Sequence, residues 1–374
     1  MPELFGKTLR RRELLARVGR MQQAAGIRLL ELADGNERGV RVLDVRTGSG
    51  FGFEIVVDRG FDVGRCEMAG KSLAWQSPTG FVGPWHAEHE GFGFHRTFGG
   101  GLLVTCGLEH VLMPEEDTAD HYRFPPQETM FYGLHGRISN SPGTLRGYGE
   151  RWDGDECLLW AEGEVRQAMV FGEVLTLHRR VEATVGESRL RITDRVVNDG
   201  CHRTPHMMLY HVNLGWPLVD AGAHLLLPAG PTRAADGSGG DLVEVPDYRV
   251  VAAPSPDFVG QVFSHDMHAD PTGWVTAGVA NEALGLAAYQ RYRSDTLPHH
   301  QVWRMLGAGT YVVALEPTTN TLGGRREARR RGELVHLDPG ESRAYELELG
   351  AEQGEEGIAR LTNAVTAILD ARAR

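Results

Sequence analysis

From Gly26 onward the chain is written in short runs of Val, Ile, Leu and Phe, in most of which apolar and polar side chains alternate, broken by Gly, Asp and Asn. Alternation with a period of two predicts strands that pack one face and turn the other to water or to a partner sheet. Segments 40–45, 53–57, 157–164, 174–184, 188–197, 274–279, 285–292, 311–315 and 342–349 all belong to this class. Helical spacing is confined to the two ends. Leu9, Leu14, Leu15 and Val18 predict a short helix over 4–19, stopped by Gly19, and Ile358, Leu361, Val365 and Leu369 predict a closing helix over 354–371. No helices recur between the strands, which argues against a βαβ fold and for two stacked antiparallel sheets. The stretch 221–260 is rich in Gly, Pro, Ala and Asp, yet the strand pattern resumes beyond it without a new start. It is expected to form long loops inside one domain that spans 1–374, with its core over about 26–350.

Composition narrows the partners. The 374 residues are 41% hydrophobic and 24% charged, ordinary for a globular chain, and carry a formal net charge of −11. An acidic chain lacks the clustered cations that release counterions from a phosphate backbone, so nucleic acid is not an expected partner. Arg10 to Arg12 and the basic run 325–331 are short and mixed with Glu, as solvated faces are. The four cysteines, Cys66, Cys106, Cys157 and Cys201, form no C-x-x-C pair, which suits a reducing compartment. No stretch approaches the ~20 apolar residues of a membrane span, and no secretory leader is evident at the N-terminus. A cytoplasmic location with no membrane partner is expected, and a homodimer is the candidate assembly.

Candidate chemistry gathers in a few segments. In a regular strand over Thr204 to Pro217, His211 shares a face with Met207, Leu209 and Asn213, whereas His206 shares the other with Met208 and Tyr210. Alone, a histidine in such an apolar run reads as a core imidazole. Its company changes the balance. Gly133-Leu134-His135-Gly136 sets a histidine between glycines, and Glu316 sits at the end of the apolar run Val313-Ala314-Leu315, where a carboxylate must be solvated or paired. Arg96 precedes three consecutive glycines and offers a fork of donors to sugar oxygens or a carboxylate. Trp85 and Trp303, each in polar surroundings, are the tryptophans best suited to stack on a pyranose ring. His86 with His89 and His299 with His300 lack a third ligand at a familiar spacing, so neither a metal nor a cofactor is expected. Gly48-x-Gly50-x-Gly52 opens no evident helix, which argues against a dinucleotide site, and no G-x-S-x-G elbow is present.

Taken in order, Gly133-Leu134-His135-Gly136, the strand with His211, Asn213 and Leu214, and Leu315-Glu316 resemble the signature of the aldose 1-epimerase (galactose mutarotase-like) superfamily. Gly107-Leu108 and the segments 133–140, 206–217 and 315–320 add a closer likeness to its DUF4432 branch. The resemblance implies a mainly β antiparallel supersandwich with a sugar cleft on one concave face. It implies His211 as general acid, Glu316 as general base, His135 as a second sugar-contacting histidine and Arg96 as a hydroxyl-binding arginine, with Asn213 beside them. A small-molecule sugar is the implied partner and interconversion of anomers the implied reaction. Reactions at a carbon-bound proton, and non-catalytic sugar binding, stand as the alternatives.

Overall fold

The computed structural model describes residues 1–230, 233–235 and 248–373. Among these, the strands assemble into one sheet of twelve and one of eight, with two small hairpins besides. All pairings between the named strands are antiparallel, which includes Val174–Thr184 against Arg189–Asn198 and Ser342–Gln353 against Leu286–Arg293. The alternation seen in the sequence is the physical cause. In Glu156–Ala168 every second side chain, from Cys157 to Val165, is buried between the sheets while its neighbours remain partly exposed. One continuous apolar core, from Leu4 to Ala351, fills the space between the two sheets.

Four strands of the larger sheet position the site: β1 (Leu103–Leu108), β2 (Thr204–Gly215), β3 (His299–Gly307) and β4 (Thr310–Thr318). β2 lies between β1 and β4, and β3 follows β4. Every residue of β2 is buried, so both of its faces are covered and its sequence reads as a nearly continuous apolar run. Its even-numbered residues Met208, Tyr210, Val212 and Leu214 enter the core between the sheets. The odd-numbered Met207 and Leu209 join a second apolar cluster with Trp75, Phe94, Phe98 and Leu134 on the sheet's outer face.

The ends of the chain differ in part from the expectation. In place of a helix over 4–19 there is a hairpin of Glu3–Leu4 with Lys7–Thr8, followed by a five-residue helix α1 (Arg11–Leu15). Phe5 and Gly6 both take positive φ, at 54° and 72°, which turns the chain back where a helix would have continued. Leu4, Leu9 and Leu14 are buried in the main core from this hairpin-and-turn arrangement, whereas Leu15 is exposed. A second helix, α2 (Gly324–Arg331), follows β4, and α3 (Gly354–Ala373) closes the chain over nearly the span expected. α3 lays Ile358, Leu361 and Val365 on Leu226, Ala280 and Ala287 of the smaller sheet, and Ile368 is buried where Leu369 is only half-buried. No helix among the described residues is long and apolar enough to cross a membrane. Of the stretch 221–260, the residues 231–232 and 236–247 lie outside those described.

Candidate functional site

The outer face of the larger sheet carries an uninterrupted row of polar side chains. Leu209 pairs with Thr318 and Val212 with Leu315, a register that sets His211 directly across from Glu316. On the next strand Gln301 pairs with Glu316. Because partners in an antiparallel pair project on the same side, His211, Glu316 and Gln301 stand shoulder to shoulder across β2, β4 and β3. His211 Nε2 lies 3.2 Å from Glu316 Oε1, and only 6% and 4% of the two side chains is exposed. His206, by contrast, points between the sheets, where its ring is held by the Leu108 carbonyl and the Tyr345 hydroxyl. The two histidines of this strand are separated by its pleat.

Around the pair, many polar atoms have no partner. His211 Nδ1, Glu316 Oε1, both amide atoms of Gln301 and Asn213 Oδ1 are buried without a hydrogen bond. Buried polar groups in folded proteins are almost always satisfied, so a cluster of open valences on one face marks a place prepared for a polar ligand. Asn213 uses its amide group to brace the strand, donating at 3.0 Å to the carbonyls of Gly101 and His211, and turns its free oxygen to the same side.

His135 arrives from a loop. Its backbone sits at φ 59°, and the following Gly136 has no room for a Cβ, which would come within 2.3 Å of the Gly107 carbonyl oxygen. The Leu112 backbone holds the residue twice. The His135 N–H donates to the Leu112 carbonyl at 2.9 Å, and Nδ1 accepts the Leu112 N–H at 3.3 Å. With Nδ1 accepting, a neutral ring carries its hydrogen on Nε2. The ring meets His211 edge-on at 5.7 Å between centroids.

Electrostatics favour neutral forms at this site. Burial pushes the Glu316 carboxyl up to about 8. It also pushes His211 down to about 4, against a smaller opposing effect of the Asn213 side chain. His135 falls well below the usual histidine range through burial and then through His211. Between those two values the His211–Glu316 pair holds a single proton that desolvation assigns to the carboxyl, and the 3.2 Å contact joins an acid to a neutral imidazole.

Aromatic rings close the site from above. Phe98 meets the His211 ring at 5.2 Å and Trp303 meets it at 5.6 Å, and Trp75 stands against Trp303 at 6.2 Å. Of the residues expected from the sequence, the fold therefore brings together His211, Glu316, His135, Asn213 and Trp303. Arg96, in the turn between Phe94 and Phe98, is exposed and paired with Glu88. Trp85 is likewise exposed, its ring laid over Gly39 and Gly83. Gln301, Phe98 and Trp75 were not expected. Gln301 could have been found from the phase of its strand, since it lies two positions from Trp303 and must share that residue's face. Among the described residues, no group of three or more His, Cys, Asp or Glu side chains is placed to hold a metal ion.

Comparison with known proteins bears on the family and the fold. Residues 37–351 match the family described as Domain of unknown function (DUF4432). No curated protein matches the sequence. Among solved structures, a candidate aldose 1-epimerase from Klebsiella pneumoniae superposes with a TM-score of 0.80 at 22% identity, over 92% of this chain and 87% of that one. A galactose mutarotase-like protein from Clostridium acetobutylicum gives 0.59 at 15% identity, over 88% and 99%. Galactose 1-epimerase from Lactobacillus acidophilus gives 0.55 at 12% identity, over 88% and 99%. The fold is accordingly the galactose mutarotase-like arrangement of antiparallel sheets.

Proposed function

The chain belongs to the DUF4432 family, and on that premise we propose that it is a carbohydrate isomerase that interconverts the anomers of a free monosaccharide or its derivative by general acid and base catalysis. The observation that carries the reading is the His211–Glu316 pair, 3.2 Å apart in direct register and surrounded by unsatisfied buried groups. A pair that shares one proton can lend it and recover it, which is what opening and closing a hemiacetal requires.

Glu316 passes its proton to His211, becoming the carboxylate that takes the proton of the anomeric hydroxyl. The imidazolium protonates the ring oxygen, the ring opens to an aldehyde, and reclosure on the other face runs the same transfers backwards. His135 donates from Nε2–H to a sugar oxygen, while Gln301 and Asn213 supply the amide donor and the acceptors left open in the sheet. Entry of the sugar displaces Phe98 and Trp303 from the His211 ring, and their apolar faces then flank the pyranose. Exclusion of water behind them strengthens each polar contact.

The test is the approach to anomeric equilibrium of freshly dissolved aldoses, followed by polarimetry or NMR across a broad panel. Acceleration of at least one sugar above the buffer rate is expected, and a wild-type protein that accelerates none ends the proposal. A second reading has support in the protonation state, because a neutral imidazole beside a protonated carboxyl also suits removal of a carbon-bound proton. Solvent deuterium on a sugar carbon selects that reading, since ring opening exchanges hydroxyl protons alone.

A further inference from the structure

A buried cation outside the reacting pair reaches it through two loops. Arg59 lies in the turn between the strands Phe51–Val56 and Asp62–Met68, and only 6% of it is exposed. The turn is fixed on both sides. The Arg59 N–H donates to the Val56 carbonyl at 3.1 Å, and the Asp62 N–H donates to the Arg59 carbonyl at 3.0 Å. The guanidinium itself donates to the Val82 carbonyl at 2.6 Å, the Thr97 carbonyl at 2.6 Å and Asn140 Oδ1 at 2.8 Å. All three acceptors are neutral. Burial pulls Arg59 down to about 10, and the charge of Asp62 works against only part of that. Arg179 and Arg325, as deeply buried, are each held by carboxylates. A guanidinium buried against neutral acceptors costs stability that an apolar side chain would spare, so its place calls for a reason other than stability.

The acceptors supply that reason. Thr97 precedes Phe98, whose ring meets His211 at 5.2 Å, and the Thr97 N–H donates to the Phe94 carbonyl at 3.1 Å. Phe94 stacks on Phe98 at 4.8 Å and meets His135 at 5.1 Å, so the two phenyl rings bridge the histidines. Asn140 ends the short turn Ile138–Asn140 behind His135, where its N–H donates to the Arg137 carbonyl at 3.2 Å. One guanidinium thus holds the backbone beneath Phe98 and the far end of the loop that carries His135. A cavity of about 10 Å³ beside it, lined by Ser139, Phe81, Gly100 and Val104 among others, has room for about one water and none for a sugar ring.

We propose that Arg59 is a positioning residue of the site: by holding Thr97 and Asn140 it sets where Phe98 and His135 stand against His211. The consequence for turnover rests on the reading of His211 and Glu316 as the reacting pair. With the Thr97 carbonyl held, Phe98 yields to the sugar by turning its ring on a fixed backbone.

The experiment follows the imidazole signals of protein carrying ¹³C-labelled histidine, assigned from His211→Gln, His135→Gln and His206→Gln. Arg59→Lys keeps the charge and gives up the fork that spans the three acceptors. It is expected to move the His211 and His135 signals while His206, on the opposite face of β2, stays in place. Turnover is expected to fall about 10²-fold, with the limbs of the pH profile unmoved, and the loss is expected to shrink in a Phe98→Ala background. Asn140→Ala leaves the guanidinium its two carbonyls and is expected to move His135 even if Arg59→Lys does not fold. Unmoved His211 and His135 signals in a folded Arg59→Lys, an unmoved His135 in Asn140→Ala, or movement of all three histidines together overturns the proposal. Movement confined to His211 and His135, without acceleration of any sugar by the wild type, sustains it and removes the catalytic reading. Acceleration by the wild type with both signals unmoved in Arg59→Lys does the reverse.

Discussion

The two faces of the strand Thr204–Gly215 bury polar groups in opposite ways. On the inner face, Tyr210 donates at 2.7 Å to Asp194, which also receives two N–H groups of Arg179. The same guanidinium reaches Asp62 at 2.6 Å and the Thr105 hydroxyl at 2.8 Å, and Thr105 donates in turn to Asp62. Arg179 and Asp194 lie beyond the reach of solvent, and the carboxylates on either side hold the guanidinium above its ordinary value despite its burial. On the outer face one residue further along, His211, Glu316 and Gln301 are almost as deeply buried, yet several of their atoms have no partner. A saturated network ties the two sheets together, whereas an unsaturated one costs stability that only a bound ligand recovers.

The contrast can be broken at its strongest point first. Glu316→Gln removes the proton carrier while keeping the shape, so turnover is expected to fall by about 10² to 10⁴ in the anomer assay with the thermal midpoint unchanged or raised. Equal loss of stability and activity would show that Glu316 is structural. Arg179→Met strands two buried carboxylates and is expected to cost about 3–5 kcal/mol in urea denaturation, with the smaller change expected at the outer face.

A third test uses pH. Glu316 sits at about 8 in the fold against an ordinary value of 4.5, so the folded chain keeps a proton that the unfolded chain releases, and stability is lost as pH rises through that interval. His211, at about 4 against 6.5, works in the opposite direction at lower pH and offsets the loss up to about 6.5. The uncompensated part falls between pH 6.5 and 8 and amounts to about 2 kcal/mol, visible as the difference between wild type and Glu316→Gln in denaturation at several pH values. The same pair gives turnover a bell-shaped profile with limbs near 4 and 8. The mildest test is Gln301→Leu, expected to leave stability within about 1 kcal/mol of wild type, on either side of it, while raising KM about tenfold. A large loss of stability there would mean that the amide is satisfied after all.

Much of this contrast could be read from the residues. Strands whose outer face meets water announce themselves by alternation, and the phase of Met207, Leu209, His211 and Asn213 separates His211 from His206 before any coordinates exist. The meeting of His211 with Glu316 was legible as a resemblance of motifs, but their direct opposition depends on strand register, which a sequence does not state. The N-terminal segment misled because Leu9 and Leu14 are buried in either conformation, and the deciding feature is a turn at Phe5 and Gly6. Arg96 and Trp85 sit in a glycine-rich loop in which Arg96 pairs with Glu88 of the same loop and Trp85 lays its ring over the distant Gly39, a contact that local preference does not state. Gln301 was overlooked beside Trp303, although the same pleat carries both.

The register across β2, β4 and β3 also bears on how such a chain can change. Because His211, Glu316 and Gln301 project from neighbouring rungs of one ladder, exchanging any of them redraws the reactive surface without moving the backbone. Insertion or deletion of a single residue within Thr204–Gly215 is another matter, for it would turn Tyr210 toward the aromatic cover and His211 toward Arg179. Variation in specificity is thus open to point substitution and closed to length change along this strand.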